Sequence, residues 1–115
     1  GTVRNQNDNK SVIGITYDTH DALVIQSFEE IYSEANKNLE IKEKAVFIDH
    51  AKGYLDLGEI SIIIAVATKH REEAYKLSRY IIEEIKKRSP IWKKEHYQNS
   101  ESNWLKGNPL VHENN

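Results

Sequence analysis

Apolar residues are gathered in blocks along the chain, and the period inside each block predicts its structure. Gly1 to Arg4 precede a polar, turn-forming run, Asn5-Gln6-Asn7-Asp8-Asn9-Lys10, that reads as a loop. Val12 to Tyr17 mixes β-branched and aromatic residues over the length of a strand, and Asp18 to Asp21 supplies turn and N-cap chemistry. A helix is expected next. Val24, Phe28, Ile31, Tyr32 and Ala35 recur at helical period, Glu29, Glu30 and Glu34 point away, and Asn36-Lys37-Asn38 ends the run.

The second half repeats this order with different punctuation. Ala45 to His50 reads as a strand, and Lys52-Gly53 and Leu57-Gly58-Glu59 read as turns around a short link. Ile60 to Thr68 is apolar or small on both faces, which predicts a central strand. Thr68 is expected to cap a second helix, with Glu72 and Glu73 in its first turn and Lys86, Lys87 and Arg88 in its last, as the macrodipole favours. Ser89-Pro90 stops it. Ile91 to Tyr97 is a further strand, Gln98 to Asn103 a polar turn and Trp104-Leu105 a short return strand, with the tail after Gly107 expected to fray. Neighbouring strands with two amphipathic helices between them predict an α+β domain, a single one over 1–115.

Composition narrows the function classes. Sixteen basic against eighteen acidic side chains give a formal charge of -2, so no global field holds a nucleic-acid backbone or an anionic membrane, and an anion must be bound by a local cluster. The chain has no cysteine, which removes disulfides, thiolate nucleophiles and thiolate metal sites together. No apolar run reaches membrane-spanning length and no signal-peptide pattern opens the chain, so a soluble, cytoplasmic protein is expected. The five histidines, His20, His50, His70, His96 and His112, stand at spacings that no common zinc motif uses, and no glycine-rich phosphate loop or serine elbow is present. No metal and no cofactor is expected.

What remains is a set of basic residues in special places. His70-Arg71 stands where a strand hands over to a helix, where free backbone N–H groups favour an anion; the plainer reading is a solvated first turn. Lys86 shares a helix stripe with Tyr75 and Ile82, and its plainer role is to offset the helix dipole. Alternation along the last long strand sets Lys93, Glu95 and Tyr97 on one face and Trp92, Lys94 and His96 on the other. The plain alternative for Lys93 and Glu95 is a solvated strand face, and for Trp92 and Trp104 core or interface anchors. Two lysines converging from a helix end and the next strand each favour the other's neutral form, and a neutral amine acts as base or nucleophile.

Four segments together, Gly1-Thr2-Val3-Arg4, His50 to Glu59, Thr68 to Ala74 and Pro90-Ile91-Trp92-Lys93-Lys94-Glu95, resemble the molybdopterin synthase large, catalytic subunit family in order and spacing across nearly the whole chain. The resemblance implies an α/β hammerhead-type fold, an antiparallel sheet with two amphipathic helices, and a chain that begins inside an F-x-G-x-V-R-like motif without the upstream strands of family members. It implies a homodimer at the centre of a heterotetramer, with a small ubiquitin-like sulfur-carrier subunit at each end. That subunit's C-terminal Gly-Gly thiocarboxylate would supply two sulfurs to cyclic pyranopterin monophosphate, forming the dithiolene of molybdopterin in molybdenum cofactor biosynthesis.

Carried over by motif position, Lys86 and Lys93 are the catalytic lysines, Thr2, Val3 and Arg4 form one wall of the phosphate site, and His70, Arg71, Lys94 and Glu95 bind substrate. Three departures stand out: Ala51 replaces the arginine expected after His50, Asn108 replaces a basic residue with only Lys106 close by, and the chain begins inside its motif. His50 is therefore given no role. About fifteen helical residues, roughly 22 Å, separate His70-Arg71 from Lys86, so a site shared between two subunits is expected. The competing readings are a catalytically silent dimeric scaffold for the small subunit and a small RNA-binding domain using Trp92 and the Lys86 to Arg88 run.

Overall fold

The computed structural model describes residues 1–7, 10–98, 103 and 104. Strands β1 (Gln6–Asn7) and β2 (Lys10–Thr19) lead into helix α1 (Asp21–Asn38). Strands β3 (Lys44–His50), β4 (Gly53–Asp56) and β5 (Ile62–Thr68) follow, then helix α2 (Arg71–Arg88), β6 (Ile91–Tyr97) and β7 (Asn103–Trp104). The fold is α+β, as the block pattern predicts, and every strand pairing among the described residues is antiparallel. The predicted Trp104-Leu105 return strand is seen as β7 through Trp104; Leu105 and the tail after Gly107, with Lys106 and Asn108, lie outside the described residues.

Two sheets replace the one that the sequence suggested. β2 is the centre of the larger, flanked by β6 on one edge and by β4 and β1 on the other, with β7 beyond β6. β5 is not central among the described strands: it pairs only with β3, from Lys44↔Thr68 to His50↔Ile62. One of its faces, Ile62, Ile64 and Val66, packs toward the core, while Ile63 on the other face is 43% exposed and Ala65 and Ala67 are open. Two-sided apolarity therefore marks a strand whose second face the described residues leave uncovered.

The core lies where both helices meet the strands. α2 buries Leu77, Ile81 and Ile85 at helical spacing, and α1 presents Val24, Ile31 and Ala35. The helices are tied by the Arg88–Glu34 ion pair and by Asn38 Nδ2, which donates to the Tyr80 hydroxyl at 2.8 Å. Capping differs from expectation at α2: His70 occupies the N-cap, and the Thr68 hydroxyl instead donates to the His70 carbonyl at 2.6 Å. At α1 the cap is His20, whose Nδ1 accepts from the Leu23 N–H. Pro90 follows the α2 C-cap, Ser89, and cannot continue the helix, so the chain turns into β6 at once.

The turn after β4 shapes the future site. Gly58 adopts φ +81°, a conformation that side chains with a Cβ avoid, and so points its N–H at the Val3 carbonyl at 2.9 Å. The Val3 N–H in turn donates to the Glu59 carbonyl at 3.0 Å, and Thr2 bridges to Ile60. The Leu57-Gly58-Glu59 motif is thus a clamp on the Gly1–Arg4 segment.

Ile81 is fully buried between the helices and the sheet. Ile81→Ala is expected to lower unfolding free energy by about 2–5 kcal/mol in urea titration, the range for a truncated core aliphatic.

Candidate functional site

β6 sets the floor of the site. Its burial alternates, with Ile91, Lys93 and Glu95 inward and Trp92 outward, as strand geometry demands. The solvated-face reading of Lys93 and Glu95 fails, because they are only 5% and 2% exposed. In the β2–β6 register Lys93 lies opposite Tyr17 and Glu95 opposite Ile15, so the inner face of this sheet carries a cation and a carboxylate among apolar neighbours.

A buried ammonium is costly unless its charge is shed or balanced. Burial pushes the Lys93 amine down to about 8, helped by the positive charges of Arg4 and Lys86, while the Glu95 carboxylate works in the opposite direction. Burial also lowers Lys86, and Arg4 lowers it further. The mutual influence joins three segments of chain: Arg4 from the clamped wall, Lys86 from the last turn of α2, and Lys93 and Glu95 from β6. The two lysines expected to converge lie within reach of one another's charge. This arrangement presents a partly neutral amine beside retained cations, a combination suited to proton transfer next to an anion.

The other candidate residues divide. Thr2 and Arg4 are exposed at the wall. Val3 is 4% exposed, with its side chain in the core and its N–H and carbonyl held by Glu59 and Gly58, so it anchors the wall for its neighbours. Lys94 is half-buried on the opposite face from Lys93, where Thr16 and His96 share a 2.8 Å hydrogen bond. His70 and Arg71 are exposed at the far end of the 18-residue α2 from Lys86, and within one chain they do not join the cluster. Trp92 is 40% exposed and is no core anchor; the Trp104 side chain lies outside the described residues.

Two members were missed. Tyr17, opposite Lys93 in the β2–β6 register, is 6% exposed, and Ser61 is 7% exposed. Burial raises the Tyr17 pKa above its ordinary value against the opposing influence of Ser61, and the Glu95 charge adds to the rise. Inward alternation of Ile15 and Tyr17 was the available signal; the register that sets Tyr17 against Lys93 was not readable. Among the described residues no cluster of histidine and carboxylate side chains is arranged to hold a metal ion, and no helix is long and apolar enough to cross a membrane.

Because the neutral amine is the reactive form, acylation of Lys93 by an amine reagent should rise through about pH 8 when followed by peptide mass spectrometry. Lys86→Ala removes a like charge and should move that midpoint up; Glu95→Gln removes the balancing carboxylate and should move it down. Between about pH 8 and the ordinary lysine value of 10.5 the unfolded chain binds the more protons at this group. Lys93 therefore makes stability rise with pH across that window, a gain lost as pH falls through 8.

With this geometry in hand, known proteins give the family. The MoaE protein family model matches residues 1–88. The molybdopterin synthase catalytic subunit of Synechococcus elongatus is 39% identical over 113 residues, 98% of this chain. The chain spans 68% of that relative's length and 63% of the length of the matching Nostoc subunit. The crystal structure of molybdopterin synthase from Staphylococcus aureus superposes with a TM-score of 0.85 at 30% identity, covering 93% of this chain and 76% of that one. A Helicobacter pylori structure, a complex of subunits 1 and 2 of the molybdopterin-converting factor, has a TM-score of 0.70 at 27% identity, covering 99% of this chain and 68% of that one. The chain belongs to the MoaE family, that of the catalytic subunits of molybdopterin synthase, an enzyme of molybdenum cofactor biosynthesis.

Proposed function

We propose that this chain transfers sulfur from the C-terminal thiocarboxylate of a small ubiquitin-like subunit to cyclic pyranopterin monophosphate, using Lys86 and Lys93 as its catalytic residues. The observation that carries the reading is the buried Lys93, held near neutrality beside Arg4, Lys86 and Glu95. The thiocarboxylate sulfur forms a C–S bond to the pterin side chain as an oxygen substituent leaves, and water cleaves the acyl C–S bond to return the carrier's carboxylate. Two such transfers give the dithiolene. Arg4, with Thr2 beside it, holds the phosphate and offsets the charge of the incoming sulfur. Lys93 takes and returns a proton as its amine crosses neutrality, and Lys86, half-exposed at the helix end, faces the carrier's Gly-Gly tail. Glu95 completes the contacts on the Lys93 face of β6, and Lys94 contacts substrate from the strand's other face. The two-subunit Helicobacter pylori complex supports a separate small subunit as the sulfur source.

The working unit on this reading is a homodimer within a heterotetramer. The outer face of the β3–β5 sheet supports it: Phe47 is 56% exposed opposite Ala65, Ala45 lies opposite Ala67, and Ile63 is open beside them. A contiguous apolar face of this kind is a protein contact surface, and a second copy brings its own complement. His70 and Arg71 then serve the neighbour's pterin, since one helix holds them roughly 22 Å from their own Lys86.

Incubation with thiocarboxylated small subunit and the cyclic pterin should yield dithiolene, and Lys86→Ala or Lys93→Ala should each slow it by about a hundredfold or more. Absence of product from the wild type, with the small subunit still bound, would point instead to a silent scaffold. Mixed dimers of Arg71→Ala and Lys86→Ala chains should regain one working site; no recovery in the mixture would sink the shared site.

A further inference from the structure

The corner between α2 and β6 joins the two lysines of the proposed chemistry, with Lys86 in the last helical turn before Ser89 and Lys93 near the start of the strand after Pro90. Two buried hydroxyls meet there. Ser89, the C-cap of α2, is wholly buried, and Ser27, from the second turn of α1, is 7% exposed. Their oxygens lie 2.8 Å apart. Alanine at both positions would fill nearly the same space without burying a polar atom, so packing alone gives the pair no purpose.

The direction of the bond follows from counting protons. A serine hydroxyl has one, and that of Ser27 goes to the Val24 carbonyl, one turn back in α1, at 2.7 Å. The proton between the two oxygens is therefore Ser89's, and the chain of donation runs from Ser89 to Ser27 to Val24. Backbone bonds shape the corner itself: the Ser89 N–H closes α2 on the Ile85 carbonyl at 3.0 Å, and the Ile91 N–H returns to the Ser89 carbonyl at 2.8 Å. Its place against α1 is set by other contacts, namely the Glu34–Arg88 ion pair, the His20 N–H donating to the Pro90 carbonyl at 3.2 Å, and the serine pair. The ion pair reaches through two side chains, one of them long, and leaves latitude. The serine pair is short on both sides and fixes backbone against backbone.

We propose that Ser27 is a positioning residue of this site: by accepting from Ser89 it fixes the α2–β6 corner against α1, and so sets how the last turn of α2, with Lys86, faces the first residues of β6, with Lys93. The inference rests on the sulfur-transfer reading for its purpose, while its physical content concerns only the corner. Ser27→Ala leaves the Ser89 hydroxyl buried without its acceptor, and the corner swings outward until that oxygen finds water. Ser89→Ala removes the donor but leaves Ser27 bonded to Val24, so the corner loosens without an orphaned hydroxyl. Ser27→Ala is therefore the more disruptive change, and the double variant, which has no orphan, falls back to the level of Ser89→Ala.

Amide hydrogen exchange on the full chain locates the effect. In Ser27→Ala the amides of His20, Ser89 and Ile91 should speed up by about tenfold more than those of the β3–β5 ladder, with Ser89→Ala and the double variant alike and less affected. Equal acceleration throughout the chain would mean a general loss of stability and would overturn the proposal, as would a double variant worse than Ser27→Ala. Acylation of Lys93 by acetic anhydride against pH then reads the lysine pair. With the corner released, the like charge of Lys86 recedes, so Ser27→Ala should raise the Lys93 midpoint by about half a unit and add nothing in a Lys86→Ala background. An unmoved midpoint in a variant whose corner has opened, or the same rise without Lys86, would refute a positioning role. Should Ser27→Ala fail to fold, Ser89→Ala carries both measurements at smaller amplitude. Neither involves sulfur transfer, so a wild-type protein that makes no dithiolene refutes the proposed function and leaves these outcomes readable.

Discussion

The site depends on one register, that of β2 against β6. Placing Lys93 opposite Tyr17 and Glu95 opposite Ile15 turns an ammonium and a carboxylate into the protein while Trp92, Lys94 and His96 face out. A slip of one residue would exchange the two sets and dissolve the site without removing a single functional side chain. Both faces oppose such a slip. Inside, Val12, Ile15 and Tyr17 are core residues; outside, the Thr16 hydroxyl is bonded to His96, and Gly14 leaves room for the end of the Tyr54 side chain, whose hydroxyl and ring a Cβ there would strike. The irregularity between Val12 and Gly14 falls beyond this stretch, so it adjusts the strand's end and leaves the Lys93 pairing intact.

Burial and charge then act together. Desolvation lowers the Lys93 amine and the Glu95 carboxylate opposes it, and the balance lies near 8, where both forms are populated. Arg4 and Lys86 add to the lowering. A chain with a net charge of -2 thus builds a locally positive region from three cations and one carboxylate, and attraction for an anion is confined to that place.

Much of this was legible in the sequence where the rule is local. Helical period, the Ser89-Pro90 stop and strand alternation gave α1, α2 and β6 their limits and set Lys93 apart from Lys94. Errors arose where a distant partner decides. Ile60 to Thr68 has the pattern of a strand covered on both faces, yet its second face has no cover among the described residues. Thr68 has the right chemistry for a cap, but His70 follows by two residues and takes the N-cap position. Lys93 and Glu95 look like a solvated face by composition; only the register opposite Tyr17 buries them. Tyr17 and Ser61 were invisible because their burial depends on parts of the chain far away in sequence.

Helix α2 connects these levels. Its length follows from macrodipole-matched ends and an apolar stripe, all local facts, and that length holds His70 and Arg71 away from Lys86 as firmly as any covalent spacer. A rigid element buried against the core along Leu77, Ile81 and Ile85 has no means of bending to unite its two ends. On the proposed reading, completing the site is therefore a matter of symmetry: a second chain brings the N-terminus of its own α2 to the lysines of the first. The open apolar face of the β3–β5 sheet lies on the strand that feeds that N-terminus, so the surface available for dimerisation and the residues that would be shared belong to one continuous unit, β5 and α2.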